Sequence, residues 1–262
     1  MSKIKRTILL GKAFQLKFVI STLPIFTYGL VKQIQQKKVF TLLPATLNEI
    51  YLANHDVKIR EALTHFTFLT PDGMPLVKLL QLQTSRVCQR IYGPDLLLEL
   101  CRQTEHKGIS HFFYGGTPEV LEKLSSRLKK QFPALTISGS YAPPFRELSH
   151  KEEQEFQLLL KRNKPDIIWI GLGSEKQITW IDAWKKRVPQ SSMIGVGAAF
   201  DFLSGNKKQA PLWMQKNGLE WFFRLLSEPR RLWRRYLAHL PYLVAIFTRE
   251  YCRILLKKSY IG

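Results

Sequence analysis

The residues able to do chemistry in this chain gather where apolar runs give way to small residues. Asp72 stands between Pro71 and Gly73 in "FLTPDGMP", a turn from which a carboxylate can face a pocket and accept a proton. Asp is also a common turn former, so "PDG" alone decides nothing. Asp201 sits between Phe200 and Phe202. A carboxylate with apolar neighbours must be paired or hold its proton, which makes Asp201 an orienter of substrate hydroxyls or a structural cap. Arg90, in "QRIYGPDL", has the charge to neutralise a leaving diphosphate, or to form a surface salt bridge. Lys176 and Gln177 follow the Gly171–Gly173 turn and could touch a nucleotide.

These residues need elements to position them, and the run Pro165–Phe202 supplies the clearest. Two apolar strands, Ile167–Gly171 and Met193–Ala199, flank one amphipathic helix, and each strand runs into a small-residue turn. Strand, glycine turn and helix in this order put backbone N–H groups at a helix N-terminus, where they can hold an anion. A phosphate- or diphosphate-bearing substrate fits; the plainer reading is a buried unit whose glycines serve only tight turns. "ISHFFYGGTPEVLEKLSSRLKKQF" repeats the plan, with Gly115-Gly116 between strand and helix, and "FTFLTPDGMPLVKLL" repeats it again. A strand near Val39–Leu43 enters "PATLNEIYLA". Alternating strands and helices predict an α/β fold: a Rossmann-like, mostly parallel sheet with helices on both faces. Functional residues then lie beyond the carboxyl ends of the strands, at Thr46–Asn48, Asp72-Gly73, Gly115–Thr117, Gly173–Gln177 and Ala198–Asp201.

Composition narrows the partners. The 262 residues bound the chain to one or two domains, with 45% apolar and 23% charged residues, ordinary for a globular protein. The formal charge of +20 is not ordinary. Residues 1–38 carry Lys3, Lys5, Arg6, Lys12, Lys17, Lys32, Lys37 and Lys38 with no acid, and from Lys207 onward 12 basic residues face only Glu220, Glu228 and Glu250. The partner is therefore anionic: nucleic acid, a membrane surface or a phosphorylated substrate. Three cysteines without metal-like spacing fit a reducing cytoplasm, and no His pair or D-x-D sequence marks a metal site. The run "FVISTLPIFTYGLV" lacks a following A-x-A site and reads as a first strand and helix.

The last stretch differs in character. Ser227 reads as an N-cap, with Pro229 in the first turn, Leu232, Trp233, Tyr236, Leu237 and Leu240 on one helical face and Arg230, Arg231, Arg234 and Arg235 on the other. Pro241 is expected to stop this helix before a second run, "YLVAIFTREYCRILLKK". Basic residues beside an aromatic and aliphatic face are features of a helix lying in a membrane interface. The division expected is a core over 1–218 and a basic amphipathic appendage over 219–262.

In order along the chain stand "TLN", "TPDGMP", "RIYGPDL", "FFYGGTPEVLEKLSSRL", "IGLGSEKQITW", "GVGAAFDFLSG" and "APLWMQKNGLEWFFRLLSEPRRLWRRYL". Together they resemble the WecG/TagA/CpsF family of bacterial glycosyltransferases (glycosyltransferase family 26) over roughly residues 8–237. The resemblance implies an inverting transferase on the cytoplasmic face of the plasma membrane. It would move a sugar, often N-acetylmannosamine, from a UDP-sugar to a polyprenyl-diphosphate-linked sugar for a cell-surface polysaccharide. It further implies Asp72 as general base, Thr46 and Asn48 in the catalytic pocket, and Arg90 and Asp95 in an R-x-x-G-x-D element. Gln177 would lie on the nucleotide side and Asp201 would follow "GVG". Arg224, Arg231 and Arg234 would be the basic positions of an appendage that completes the site at the membrane, and self-association is implied as well. The chain departs from the family pattern at Glu175, Ile178, Tyr92 and Pro94, which leaves glucose or a uronic acid open as the sugar. No cofactor is expected. The competing reading is a non-enzymatic basic protein that binds anionic lipid or nucleic acid. No zinc finger or RNA-recognition motif supports the nucleic-acid version.

Overall fold

The chain enters the fold through a hairpin, β1 (Leu9–Ala13) and β2 (Leu16–Ile20), joined by Phe14 and Gln15 at φ of 51° and 65°. Two successive left-handed residues match a two-residue turn to the strand twist. The structure, a computed structural model, describes residues 9–259, without the side chains of residues 9, 231, 235, 237 and 257–259. Lys3, Lys5 and Arg6, and the side chains of Arg231, Arg235 and Leu237, lie outside the described residues.

After α1 (Leu23–Gln35), β3 (Thr41–Ala45) leads into α2 (Leu47–His55) and α3 (Val57–Thr64). Then come β4 (Phe68–Pro71), α4 (Met74–Thr84), α5 (Gly93–Thr104), β5 (Ser110–Gly115) and α6 (Pro118–Gln131). The succession continues with β6 (Thr136–Tyr141), α7 (His150–Asn163), β7 (Ile167–Gly171) and α8 (Ser174–Trp184). It ends with β8 (Ser192–Gly195), α9 (Ala199–Ser204), α10 (Leu212–Lys216), α11 (Glu220–Ser227) and α12 (Pro229–Ser259).

One eight-stranded sheet runs in the order β1-β2-β4-β3-β8-β7-β5-β6, parallel throughout except for the β1–β2 pair. Its central strands are apolar on both faces, as strands covered by helices on either side must be. Ile168 and Ile170 join one buried cluster while Ile167 and Trp169 join the other, and Phe112 and Tyr114 alternate with Phe113 in the same way. That alternation is the two-residue period of a strand expressed as two cores. At the end of β5, Gly115 adopts φ +121° and passes so close to Gly171 that a Cβ would lie 2.6 Å from its carbonyl oxygen. This glycine is there for backbone approach between β5 and β7.

The alternating α/β architecture is as the sequence predicts. Three local expectations are not met. The strand expected over Met193–Ala199 stops at Gly195, because Gly197 turns the chain at φ +54°. Asp201 consequently lies in the first turn of α9 and not at a strand end. Ser227 does not cap the last helix: it is the final residue of α11, and its hydroxyl donates back to the Phe223 carbonyl at 2.9 Å. Nor does Pro241 stop anything, since α12 runs through it to Ser259. A proline inside a helix costs about 3 kcal/mol through a lost hydrogen bond and a ring clash. Packing offsets that cost. His239 stacks on Tyr51 of α2 with ring centroids 3.6 Å apart, Tyr242 meets the same ring edge-on, and Ile246, Phe247 and Ile254 reach one core cluster.

Candidate active site

The loops at the carboxyl ends of the strands surround a cleft of about 1100 Å³. Thr46 comes from the end of β3, Asp72 from β4, Gly116 and Thr117 from β5, Gly173 and Gln177 from β7 and the start of α8, and Gly197 and Asp201 from β8 and α9. The Pro143–Leu148 loop, Lys207 and Arg224 close its rim. This is where a doubly wound sheet binds ligands, because successive loops diverge there.

Asp72 is the most unusual group in the cleft. Its carboxylate Oδ1 accepts from Arg90 Nη2 at 3.1 Å and from Nε at 3.2 Å, and Arg90 Nε also donates to the Asp72 backbone carbonyl. The same Nη2 donates to Glu220 Oε2 at 2.5 Å, and Nη1 donates to Gln215 Oε1 at 3.4 Å. The side chains of Arg90, Asp72 and Glu220 are only 16%, 14% and 15% exposed. One cation therefore serves two carboxylates in a region from which water is mostly excluded. Burial pushes the Asp72 carboxyl up to about 7 against the pull of Arg90, and the charges of Glu220 and Glu49 push the same way. No described residue donates to Asp72 Oδ2.

Tyr92 forms the floor beneath this cluster. The Arg90 guanidinium lies 4.0 Å from the centre of its ring, and its phenol is held well above the usual range, chiefly by burial. Arg90 itself is not a surface salt-bridge residue, and it stands behind the cleft wall while Asp72 lines the cleft.

The other sequence-predicted residues divide between lining the cleft and supporting it. Thr46 lines it but spends its hydroxyl on α2, donating to Glu49 Oε2 at 2.6 Å while accepting from the Asn48 N–H at 3.1 Å. Asn48 is not in the cleft wall; its amide reaches Glu49 at 3.4 Å. Gln177 is buried in the wall and accepts from the Gly197 N–H at 2.9 Å, tying α8 to the turn before α9. Gly173 lines the cleft as the N-cap of α8 at φ +86°, and as a glycine it leaves this helix start without a side-chain cap. Asp201 is paired, accepting from Asn206 at 3.0 Å with Lys207 3.9 Å away. Gly116 and Arg224 line the cleft; Gly115, Asp95 in the first turn of α5, and Arg234 do not. Arg234 is exposed on α12, its guanidinium 5.3 Å from the Trp233 ring centre.

Sequence reasoning missed Glu220, Glu49 and the Pro143–Leu148 loop, while Tyr92 and Pro94, two of the chain's departures from the family pattern, do line the cleft. Glu49 had a signal, the T-x-x-E capping box of "TLNE". Glu220 had a fainter one, an acid standing almost alone in a basic segment. Among the described residues no group of His, Cys, Asp and Glu is arranged to hold a metal ion, and no helix is long and apolar enough to cross a membrane.

Comparison with known proteins decides what this arrangement belongs to. The profile of the glycosyl transferase WecG/TagA/CpsF family matches residues 16–256. The chain belongs to that family. It is thus a glycosyltransferase of the hexosyl-transferring kind. A relative from Bacillus spizizenii is 31% identical over 249 residues, covering 95% of this chain and 94% of its own. A second, from Bacillus subtilis, is 30% identical over 237 residues, covering 89% of each. Both are named N-acetylglucosaminyldiphosphoundecaprenol N-acetyl-beta-D-mannosaminyltransferase.

Proposed function

We propose that this glycosyltransferase moves an N-acetylmannosamine-type sugar from a UDP-sugar to a sugar carried on a polyprenyl diphosphate, with Asp72 as the general base. The observation that carries the reading is Asp72 itself: a cleft-lining carboxylate with one oxygen held by Arg90, the other unclaimed, and an affinity for protons near neutrality. In the reaction, Asp72 takes the proton of the acceptor hydroxyl as that oxygen bonds to the anomeric carbon. The bond from that carbon to the diphosphate oxygen breaks, and UDP departs with the electron pair from the opposite face. A single displacement of this kind inverts the anomeric centre.

The charge that develops on the departing diphosphate needs donors already in place. The uncapped start of α8 offers backbone N–H groups and the positive end of a helix at Gly173 and Ser174. Lys176, Lys207 and Arg224 bring positive charge to the same cleft. Arg90 is best assigned to Asp72 and Glu220, since its Nε and Nη2 are committed to them.

Residues 219–262 are proposed to rest on an anionic membrane surface, bringing the core to a lipid-linked acceptor. Trp213, Trp221, Phe222 and Leu226 are exposed on α10 and α11, and Trp233, Leu240 and Val244 on α12, with Arg230 and Arg234 nearby. Aromatic and aliphatic side chains between cations suit the headgroup region. Arg231→Glu with Arg234→Glu is expected to weaken binding to vesicles containing anionic phospholipid by about 30-fold, at about 1 kcal/mol for each cation lost. Unaltered binding would remove those arginines from the membrane contact. A homo-oligomer is compatible with this arrangement, and sedimentation of the full chain tests it.

A further inference from the structure

Glu220 lies outside the residues that line the cleft, yet its carboxylate sits closer to Arg90 than the Asp72 carboxylate does. Arg90 Nη2 is 2.5 Å from Glu220 Oε2 and 3.1 Å from Asp72 Oδ1, so this nitrogen is shared between the two carboxylates and lies nearer the one on α11, while Nε stays with Asp72. Gln215, at the end of the preceding helix, is anchored by donating to the Ala210 carbonyl at 2.7 Å and offers its own oxygen to Arg90 Nη1. Two residues of the C-terminal segment thus hold the far side of the cation that Asp72 would otherwise have to itself.

We propose that Glu220 is a positioning residue which, by sharing Arg90, keeps Asp72 basic enough to take the acceptor proton. Resting on the reading of Asp72 as the base, the inference adds where that basicity comes from. An arginine that pairs with one carboxylate favours its ionised form and lowers its affinity for a proton, by one to three pH units in ordinary cases. An arginine shared between two carboxylates leaves the group of three with a net charge of −1, and a proton on Asp72 relieves it. The groups facing Asp72 are Arg90, Tyr92 before α5, Glu49 of α2 and Glu220 of α11. Of these only Arg90 is positive. Burial and Glu220 both oppose its pull, which agrees with the direction in which Asp72 is shifted.

The geometry also accounts for the type of residue at 220. Glutamine could accept from Arg90 Nη2 at the same distance but carries no charge. Aspartate keeps the charge on a shorter stem. Charge and contact can therefore be separated by substitution.

The test measures transfer by the full-length enzyme against pH, with UDP-N-acetylmannosamine and a polyprenyl-diphosphate-N-acetylglucosamine analogue, for wild type, Glu220→Gln, Glu220→Asp and Gln215→Glu. Glu220→Gln is expected to move the acidic limb of kcat/KM down by about one pH unit and to lower the plateau, because a weaker base removes the proton less readily. Glu220→Asp should keep the limb near its wild-type position. Gln215→Glu places a further carboxylate on Arg90 and should move the limb upward. A misfolded or loosened site has no reason to give shifts of opposite sign, so Gln215→Glu decides the matter even if Glu220→Gln does not fold. A fall in kcat for Glu220→Gln with the limb unmoved would overturn the proposal and leave Glu220 a structural contact. Asp72→Asn run alongside separates the two readings: persistence of the acidic limb in that variant would overturn Asp72 as the base, whatever Glu220 does.

Discussion

Two buried titratable groups in this protein make an instructive pair. His111, on β5, accepts from Trp169 Nε1–H at its Nδ1 at 2.9 Å, and its Nε2 lies 2.8 Å from Thr104 Oγ1. Thr104 in turn donates to the Leu100 carbonyl at 2.6 Å. Because Nδ1 accepts, the neutral ring carries its proton on Nε2 and donates to Thr104. Every polar atom in that chain has a partner, and burial pushes the imidazole down to about 4. Asp72 is mostly removed from water as well, its side chain 14% exposed at the cleft, but it has only one oxygen engaged, by an arginine it must share. Both groups are far from their ordinary proton affinity. What separates them is the unclaimed oxygen facing a cleft: the histidine's shift can change only stability, whereas the aspartate's can be used in a reaction.

The largest effect expected from this contrast is on turnover. Asp72→Asn should lower transfer by about 10³-fold, the usual range for losing a general base, while UDP still raises the melting temperature as in wild type. Loss of UDP stabilisation would make Asp72 a donor ligand instead. His111→Leu should do the reverse. It strands the Trp169 N–H and removes the donor to the buried Thr104 hydroxyl oxygen, at about 2–4 kcal/mol of stability for two groups. Its kcat should stay within about twofold of wild type. A fall in kcat comparable to that of Asp72→Asn would break the comparison.

The two groups also pull stability in opposite directions on acidification. His111 is lowered, so the unfolded chain takes a proton near pH 6.5 while the native ring resists until about 4, and stability is lost across that window. Asp72 is raised, so the native state holds a proton from about 7 downward while the unfolded chain does not until 3.8, and stability is gained there. Denaturant melts of Asp72→Asn between pH 7 and 4 should therefore show a steeper loss than wild type. Parallel curves would mean that Asp72 titrates alike in both states.

Much of the core was legible because its elements carry local signals. Strands such as Ile167–Gly171 are short apolar runs, and Thr117-Pro118-Glu119 and Thr46 announce helix starts. The hairpin turn at Phe14-Gln15 was not legible, because neither residue is a usual left-handed turn former. The C-terminal segment misled for a related reason. Pro241 is a helix breaker by local rules, and only its neighbours' contacts with Tyr51 of α2, distant in sequence, carry the helix through it. The site divides in the same way. Asp72, Gly173 and Gln177 follow from the rule about strand ends, while the Arg90–Glu220 pair joins residues 130 positions apart and leaves no local pattern.

The central claim, that Asp72 is the base of a sugar transfer, is most directly tested by following transfer from UDP-N-acetylmannosamine, UDP-glucose and a UDP-uronic acid to polyprenyl-diphosphate-N-acetylglucosamine in wild type and Asp72→Asn. The account predicts transfer by the wild type, with N-acetylmannosamine the preferred sugar, and its loss in the variant with UDP binding retained. Undiminished transfer by Asp72→Asn would contradict it.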